Sequence, residues 1–263
     1  MIERPFKFDE ILLPKNINVY NRAVVACDEH TSNPAYWNNL ENELVDPTSL
    51  KIIFPECYLS DDKSDRIENI LTKQNEYLGA GIFETLNGTV PVKRVTACGN
   101  ERWRLMGLVN LSDYCPDGKM RSAIRATGGL VESRIPPRKA IRENCPLEFS
   151  HIMLLIDDPR RTVIEPLNDK GKVVYDGDLN SGGDKVTGYH IIDTSGVTSA
   201  LDSLYDESTS KCGEPLLFLV GDGNHSLATA KACIDETNPL SRYALVEVST
   251  FTTKDCCLSP YTA

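Results

Sequence analysis

A chain of 263 residues, 41% apolar and 25% charged, has material for a sizeable core and does not read as disordered. Its formal net charge of −10 disfavours nonspecific binding to nucleic acid or anionic membranes, because both need a basic face. No run approaches the length of a membrane span, and residues 1–13 hold no continuous apolar segment of a signal peptide, so the expectation is a cytoplasmic protein with no nucleic-acid and no membrane partner.

In chain order, Ala23-Val24-Val25-Ala26 reads as the first strand, and it runs into the polar cluster Cys27-Asp28-Glu29-His30. Ser32 or Asn33 before Pro34 starts a helix, with Trp37, Leu40 and Leu44 on one face. Lys51 to Phe54 reads as a strand. Ser60, Asp61 and Asp62 offer caps to a helix through Leu78, ended by Gly79 and Gly81. Residues 82–113 read as β structure, with Asn87-Gly88 as a hairpin turn signal. The basic stretch 119–142, broken by Gly128-Gly129 and Pro136-Pro137, reads as a fixed extended loop.

His151 to Ile156 and Thr162 to Leu167 read as two strands, and the glycine-rich residues 168–188 as loop. Ser195 caps a helix with Val197, Leu201 and Leu204 inward. A buried strand through Val220 then enters Gly221-Asp222-Gly223-Asn224-His225-Ser226 and a helical run, before a last strand, Tyr243 to Val248. The mixture of meander and αβ pieces predicts an α+β (mixed α/β) class, with mixed sheets and flanking helices in one unit spanning 1–263.

Three stretches could carry chemistry. Gly221 and Gly223 permit a tight turn and close backbone approach, and the first N–H groups of the following helix would attract an anion such as phosphate. Asp222 or His225 would then serve as acid or base, with Asn224 and Ser226 as ligands. The bland reading is a helix cap and nothing more. Arg125, Arg134, Arg138 and Arg142 would bind phosphate or carboxylate, or form a solvated charged segment. Glu132 lies two residues from Arg134, on the same face if the segment is a strand, and Asp28 or Glu132 would orient a substrate hydroxyl. Cys27, Asp28 and His30 follow the first strand, where ligands sit in open α/β sheets, and could serve acid–base or nucleophilic roles, although a cysteine is often a small buried apolar residue. The nine cysteines lack a framework spacing and read as reduced thiols, and no metal-ligand spacing predicts a metal site.

Together "VVACDEHTSNPAYW", "IRATGGLVESRIPPRKAIRENCPLEFSHIMLLIDDP" with "TVIEPL", and "GDGNHSLATAKA" with "RYALVEV" resemble the bacterial and archaeal family known as domain of unknown function 1015. Its members commonly carry a DGHHR-like motif where this chain has Asp222 to Ser226, so Asn224 stands for a histidine and Ser226 for the arginine. That motif is similar in kind to the phosphate-binding loop of ParB/sulfiredoxin-like proteins, which bind nucleotides and include a free-serine kinase. The resemblance therefore implies a ParB/sulfiredoxin-like core and a nucleotide, with magnesium, as cofactor. Because many members are longer, it also implies that a carboxyl-terminal region is missing here. The expected function is binding of a nucleotide or phosphorylated small metabolite with phosphoryl transfer, related to serine or phosphoserine. The alternatives are a non-catalytic nucleotide- or metabolite-binding regulator, or an interaction module in which the polar turn is a cap.

Overall fold

The computed structural model describes residues 4–60, 63–116, 121–149, 151–180 and 182–250. The amino-terminal part contains β1 (Phe6–Lys7), β2 (Asp9–Pro14), α1 (Val19–Arg22), α2 (Pro34–Glu43) and α3 (Ser64–Gly79). The start of α2 follows from Asn33, whose side chain accepts from the Tyr36 N–H, and from Pro34 in the first turn. Trp37, Leu40 and Leu44 bury as one face and join Leu50 in a small core of their own.

Neither of the two strands expected here forms. Ala23 to Ala26 is unpaired chain whose Val24 and Val25 pack against the Trp37 cluster. Lys51 to Phe54 follows a 3-10 turn, Ser49–Lys51, that Thr48 caps. Buried Ile52 gets its carbonyl partner from a side chain instead of a ladder: Gln74 Nε2 of α3 donates to it at 2.9 Å. Helix α3 begins at Ser64 with no side-chain cap, and the suggested caps Asp61 and Asp62 lie outside the described residues.

The middle of the chain supplies β3 (Phe83–Gly88), β4 (Val92–Val95), β5 (Glu101–Asn110), β6 (Tyr114–Cys115), β7 (Ile124–Ala126) and α4 (Ile135–Arg142). Asn87-Gly88 is not a hairpin turn: β3 pairs with β2. Gly88, at φ 105°, is where the Ile191 carbonyl crosses, and a Cβ there would lie 2.2 Å from that oxygen. The expected extended loop is in part α4, with Pro136 and Pro137 in its first turn, where a missing N–H costs no helical hydrogen bond.

The remaining elements are β8 (Ile152–Ile156), β9 (Lys172–Asp178), β10 (Lys185–His190), α5 (Ser195–Cys212), β11 (Phe218–Asp222), α6 (Asn224–Ala232) and β12 (Tyr243–Thr250). Thr162 to Leu167 is not a strand. The fully buried Asp158 carboxylate accepts from the Thr162 and Val163 N–H groups and winds that segment into a turn. The glycine-rich stretch expected as loop contains the β9–β10 pair. Its glycines make room for neighbours: Val19 fills the space over Gly177, and the Tyr175 ring lies over Gly188.

These pieces form an α+β protein around a mixed sheet of ten strands, in the order β6-β7-β11-β8-β12-β5-β4-β10-β9, with β1 added on β5. Strand β5 serves three partners: residues 105–110 pair with β12, residues 101–104 with β4, and Leu108 and Val109 with β1. One face of the first half is the main core. Ile152, Leu154 and Ile156 of β8 alternate inward beside Ala244, Val246 and Val248 of β12, and α5 and α6 add Val197, Leu201, Leu204 and Leu227.

The opposite face carries the polar groups. A bulge in β11 shifts its register on β8, so that Val220 pairs with Leu154 but Asp222 with Met153. In an unbulged strand Asp222 would follow Phe218 and Val220 into the core. The bulge at Gly221 turns Asp222 to the face of Met153 and Glu247.

Candidate functional site

The carboxyl ends of the parallel pair β7 and β11 open onto the first turn of α6. Gly223, at φ 80°, makes the corner, and a Cβ on it would lie 3.0 Å from Ile152 Cα. Asp222 Oδ1 accepts from the Gly223 N–H at 2.7 Å. The first bond of the helix runs from the Leu227 N–H to the Gly223 carbonyl. The N–H groups of Asn224, His225 and Ser226 therefore have no hydrogen-bond partner among the described residues, and no side chain caps them.

The loop after β7 lies alongside. Thr127 Oγ1 donates to the Val220 carbonyl at 2.7 Å, and Asn224 Nδ2 donates to the Gly128 carbonyl at 3.3 Å. The buried Tyr114 hydroxyl donates to Asn224 Oδ1. Asn224 is thus a brace between β6 and this loop.

His225 Nε2 accepts from the Val131 N–H at 3.1 Å, which leaves the ring proton on Nδ1 when the imidazole is neutral. Burial, then the nearby Arg134 and Arg138, hold the His225 pKa below its ordinary value, with Glu56 opposing. The neutral ring is a donor through Nδ1.

Asp28 faces this corner from the amino-terminal segment. Burial first, then the negative charge of Asp222, raise its pKa above the usual carboxylate range, and His151 partly offsets them. Cys27 is no nucleophile here. Burial, then Asp28 and Glu56, push its thiol up to about 12, so it stays protonated at neutral pH. His30 stacks on the Tyr36 ring, centroids 3.9 Å apart. Farther across the same face, Glu247 is raised by burial, against the pull of Arg104 at 3.5 Å.

The four arginines separate. Arg134 is exposed, and its guanidinium makes no ion pair among the described residues. Arg138 Nε donates to Glu56 Oε1 at 2.7 Å and its Nη2 to Oε2, so α4 is tied to the segment that carries Asp28, where the Glu56 N–H meets the Cys27 carbonyl at 2.7 Å. Arg142 pairs with Glu148 and lies near Cys233, beyond the far end of α6. Arg125 Nη2 meets Glu214 at 3.0 Å and the Pro215 carbonyl at 3.1 Å, before β11 begins. Arg125 and Arg142 therefore stand apart from the corner. Glu132 sits exposed in the 3-10 turn Glu132–Arg134, not on a strand, so it does not share a face with Arg134.

The corner thus gathers Asp28, Asp222, His225, Ser226, Arg134 and Arg138. It also brings in two residues that no motif pointed to, His151 and Glu56. His151 precedes β8 on the alternation of Met153 and Leu155, a pattern that becomes visible once the strand's inward face is known. Glu56 carried no local signal. Among the described residues, no group of three or more His, Cys, Asp or Glu side chains could hold a metal ion, and no helix is long and apolar enough to cross a membrane.

The chain matches no curated protein and no solved structure. Residues 8–261 match the model of a family described as a protein of unknown function (DUF1015), nearly the whole chain. The three stretches that meet or approach this corner are therefore parts of one family pattern, and the chain belongs to the DUF1015 family.

Proposed function

We propose that the first turn of α6 binds the phosphate of a nucleotide or phosphorylated small metabolite, and that the site performs phosphoryl transfer. The observation that carries this reading is the set of three N–H groups at Asn224, His225 and Ser226 that have no partner among the described residues, beside Arg134, which has no ion pair among them. His225 adds a donor through Nδ1. Asp28, with its raised pKa, is the general base for an acceptor hydroxyl, and Asp222 keeps it raised. Magnesium suits two carboxylates plus substrate phosphates better than a cage made by protein alone, and it would offset the repulsion between Asp222, Asp28 and the phosphate. Serine or phosphoserine as partner substrate rests on the family resemblance.

A second reading, a binder without turnover, is favoured by one observation: Arg125, Arg138 and Arg142 are all spent on carboxylates of the protein. Thermal melting with phosphate, phosphoserine, and ADP or ATP with magnesium tests the site, because a ligand of the native state raises its stability. The melting temperature should rise with at least one of them, and Arg134→Ala should diminish the rise. If none of these anions shifts it, both readings fall. Release of labelled phosphate from ATP with serine present then separates enzyme from binder.

A further inference from the structure

Ser226 and His151 form a pair that phosphate binding does not use. Their Oγ and Nε2 atoms are 2.7 Å apart, although 75 residues separate them in the chain. On the other side of the ring, His151 Nδ1 lies 3.3 Å from the Phe149 carbonyl, which can only accept. Nδ1 therefore carries the proton, and the bare Nε2 accepts from the Ser226 hydroxyl. Both residues are half-buried, and Ser226 is the third residue of α6, among the unpartnered N–H groups. Asp28 lies near enough to His151 for its carboxylate to attract an imidazolium formed there. A hydroxyl held on a base whose tautomer is set by a third group is the arrangement of an activated nucleophile.

We propose that Ser226 is a nucleophile, with His151 as its base, and that it takes a phosphoryl group from an acyl phosphate or phosphoanhydride. The choice of phosphorus rests on the anion-site reading, whereas the activated serine stands on its own geometry. The Ser226 proton passes to His151 Nε2 as Oγ bonds to phosphorus. The bond from phosphorus to the bridging oxygen breaks, and the carboxylate or nucleoside diphosphate leaves with its electron pair. The resulting phosphoserine lies at the positive end of α6, where its charge is stabilised. Water or a second hydroxyl then bonds to phosphorus and loses its proton to solvent, while the bond from phosphorus to Oγ breaks and Oγ takes its proton back from His151, which restores Ser226 and the neutral imidazole.

The test uses two reagents on the full chain. An uncharged fluorophosphonate reports a nucleophilic serine whether or not the protein binds anions. Acetyl phosphate, or ATP with magnesium, reports the transfer. Intact-mass measurement and peptide mapping should place both adducts on Ser226, and Ser226→Ala should lose them. His151→Asn keeps a hydrogen-bonding side chain beside Ser226 but cannot take the proton, so at an unchanged melting temperature it should slow adduct formation by about 10²- to 10⁴-fold. A fluorophosphonate adduct that is absent from Ser226, or that forms as fast in His151→Asn, overturns the activated serine. A fluorophosphonate adduct without phosphate from either donor overturns the phosphoryl assignment. Phosphate on Ser226 with no melting shift from any anion supports the nucleophile and overturns the separate binding reading.

Discussion

Arg138 of α4 clasps Glu56, 82 residues away, with two hydrogen bonds, and both side chains are about 85% shielded, at 14% and 15% relative exposure. The pair holds the segment that carries Asp28 against α4. Removing one partner leaves a shielded charge alone, which typically costs about 3 kcal/mol. Arg138→Ala should therefore lower the unfolding free energy by about that amount in urea melts. Exposed Arg134, by contrast, should change stability by less than about 0.5 kcal/mol when made alanine.

Gly223 is the corner of the site, with φ 80° and Ile152 Cα 3.0 Å from any added Cβ. A left-handed conformation alone costs an L-residue about 1–2 kcal/mol, and the neighbouring atom is backbone that cannot swing away. Gly223→Ala should destabilise by about 2 kcal/mol or more in the same melts. The flanking Gly221 faces the ends of Leu155 and Met153, which can move, so Gly221→Ala should cost less.

Two groups of the corner should give pH slopes of opposite sign. The folded pKa of Asp28 is raised, so the native state holds its proton longer than the unfolded chain does. Stability from this group is fully present below the usual carboxylate value, about 4, and is lost as pH rises through the raised value. The folded pKa of His225 is lowered, so its contribution is present above about 6.5 and is lost as pH falls through the depressed value. Urea melts at stepped pH should show Asp28→Asn gaining on the natural chain as pH climbs, and His225→Gln gaining on it as pH drops. The same slope in variant and natural chain would contradict the corresponding environment.

Cys27, held protonated by burial and by Asp28 and Glu56, should resist iodoacetamide at neutral pH in the folded protein. Cys98, which is exposed, should be alkylated before Cys27. Peptide mapping after brief and long exposure distinguishes them, and early labelling of Cys27 would contradict its placement.

Much of the fold was legible locally. Asn33-Pro34 announces α2, because a capping side chain and a pre-set φ act within one turn. The alternation of Ile152, Leu154 and Ile156 announces β8 as a strand with one core face. Two of the segments misread from sequence share one cause, that neighbours distant in the chain determine them. Lys51 to Phe54 is apolar enough for a strand but receives its partner from Gln74. Residues 168–188 are glycine-rich enough for a loop, yet Gly177 and Gly188 are the spaces into which Val19 and Tyr175 pack.

The site divides in the same way. By itself, the sequence Gly221-Asp222-Gly223 before a helical run determined that a helix would begin at a glycine corner with free N–H groups, since that depends on backbone geometry over a few residues. The tertiary structure decided the rest. A one-residue bulge, visible only in the pairing of β11 with β8, turns Asp222 out of the core and toward Asp28. Ion pairing across the fold spends Arg125 on Glu214 and Arg138 on Glu56, and among the described residues it leaves Arg134 without an ion pair. The placement of β8 beside α6 brings His151 to Ser226. Each of these is a contact between segments far apart in sequence, and no local pattern of residues encodes which distant side chain will stand on the other side.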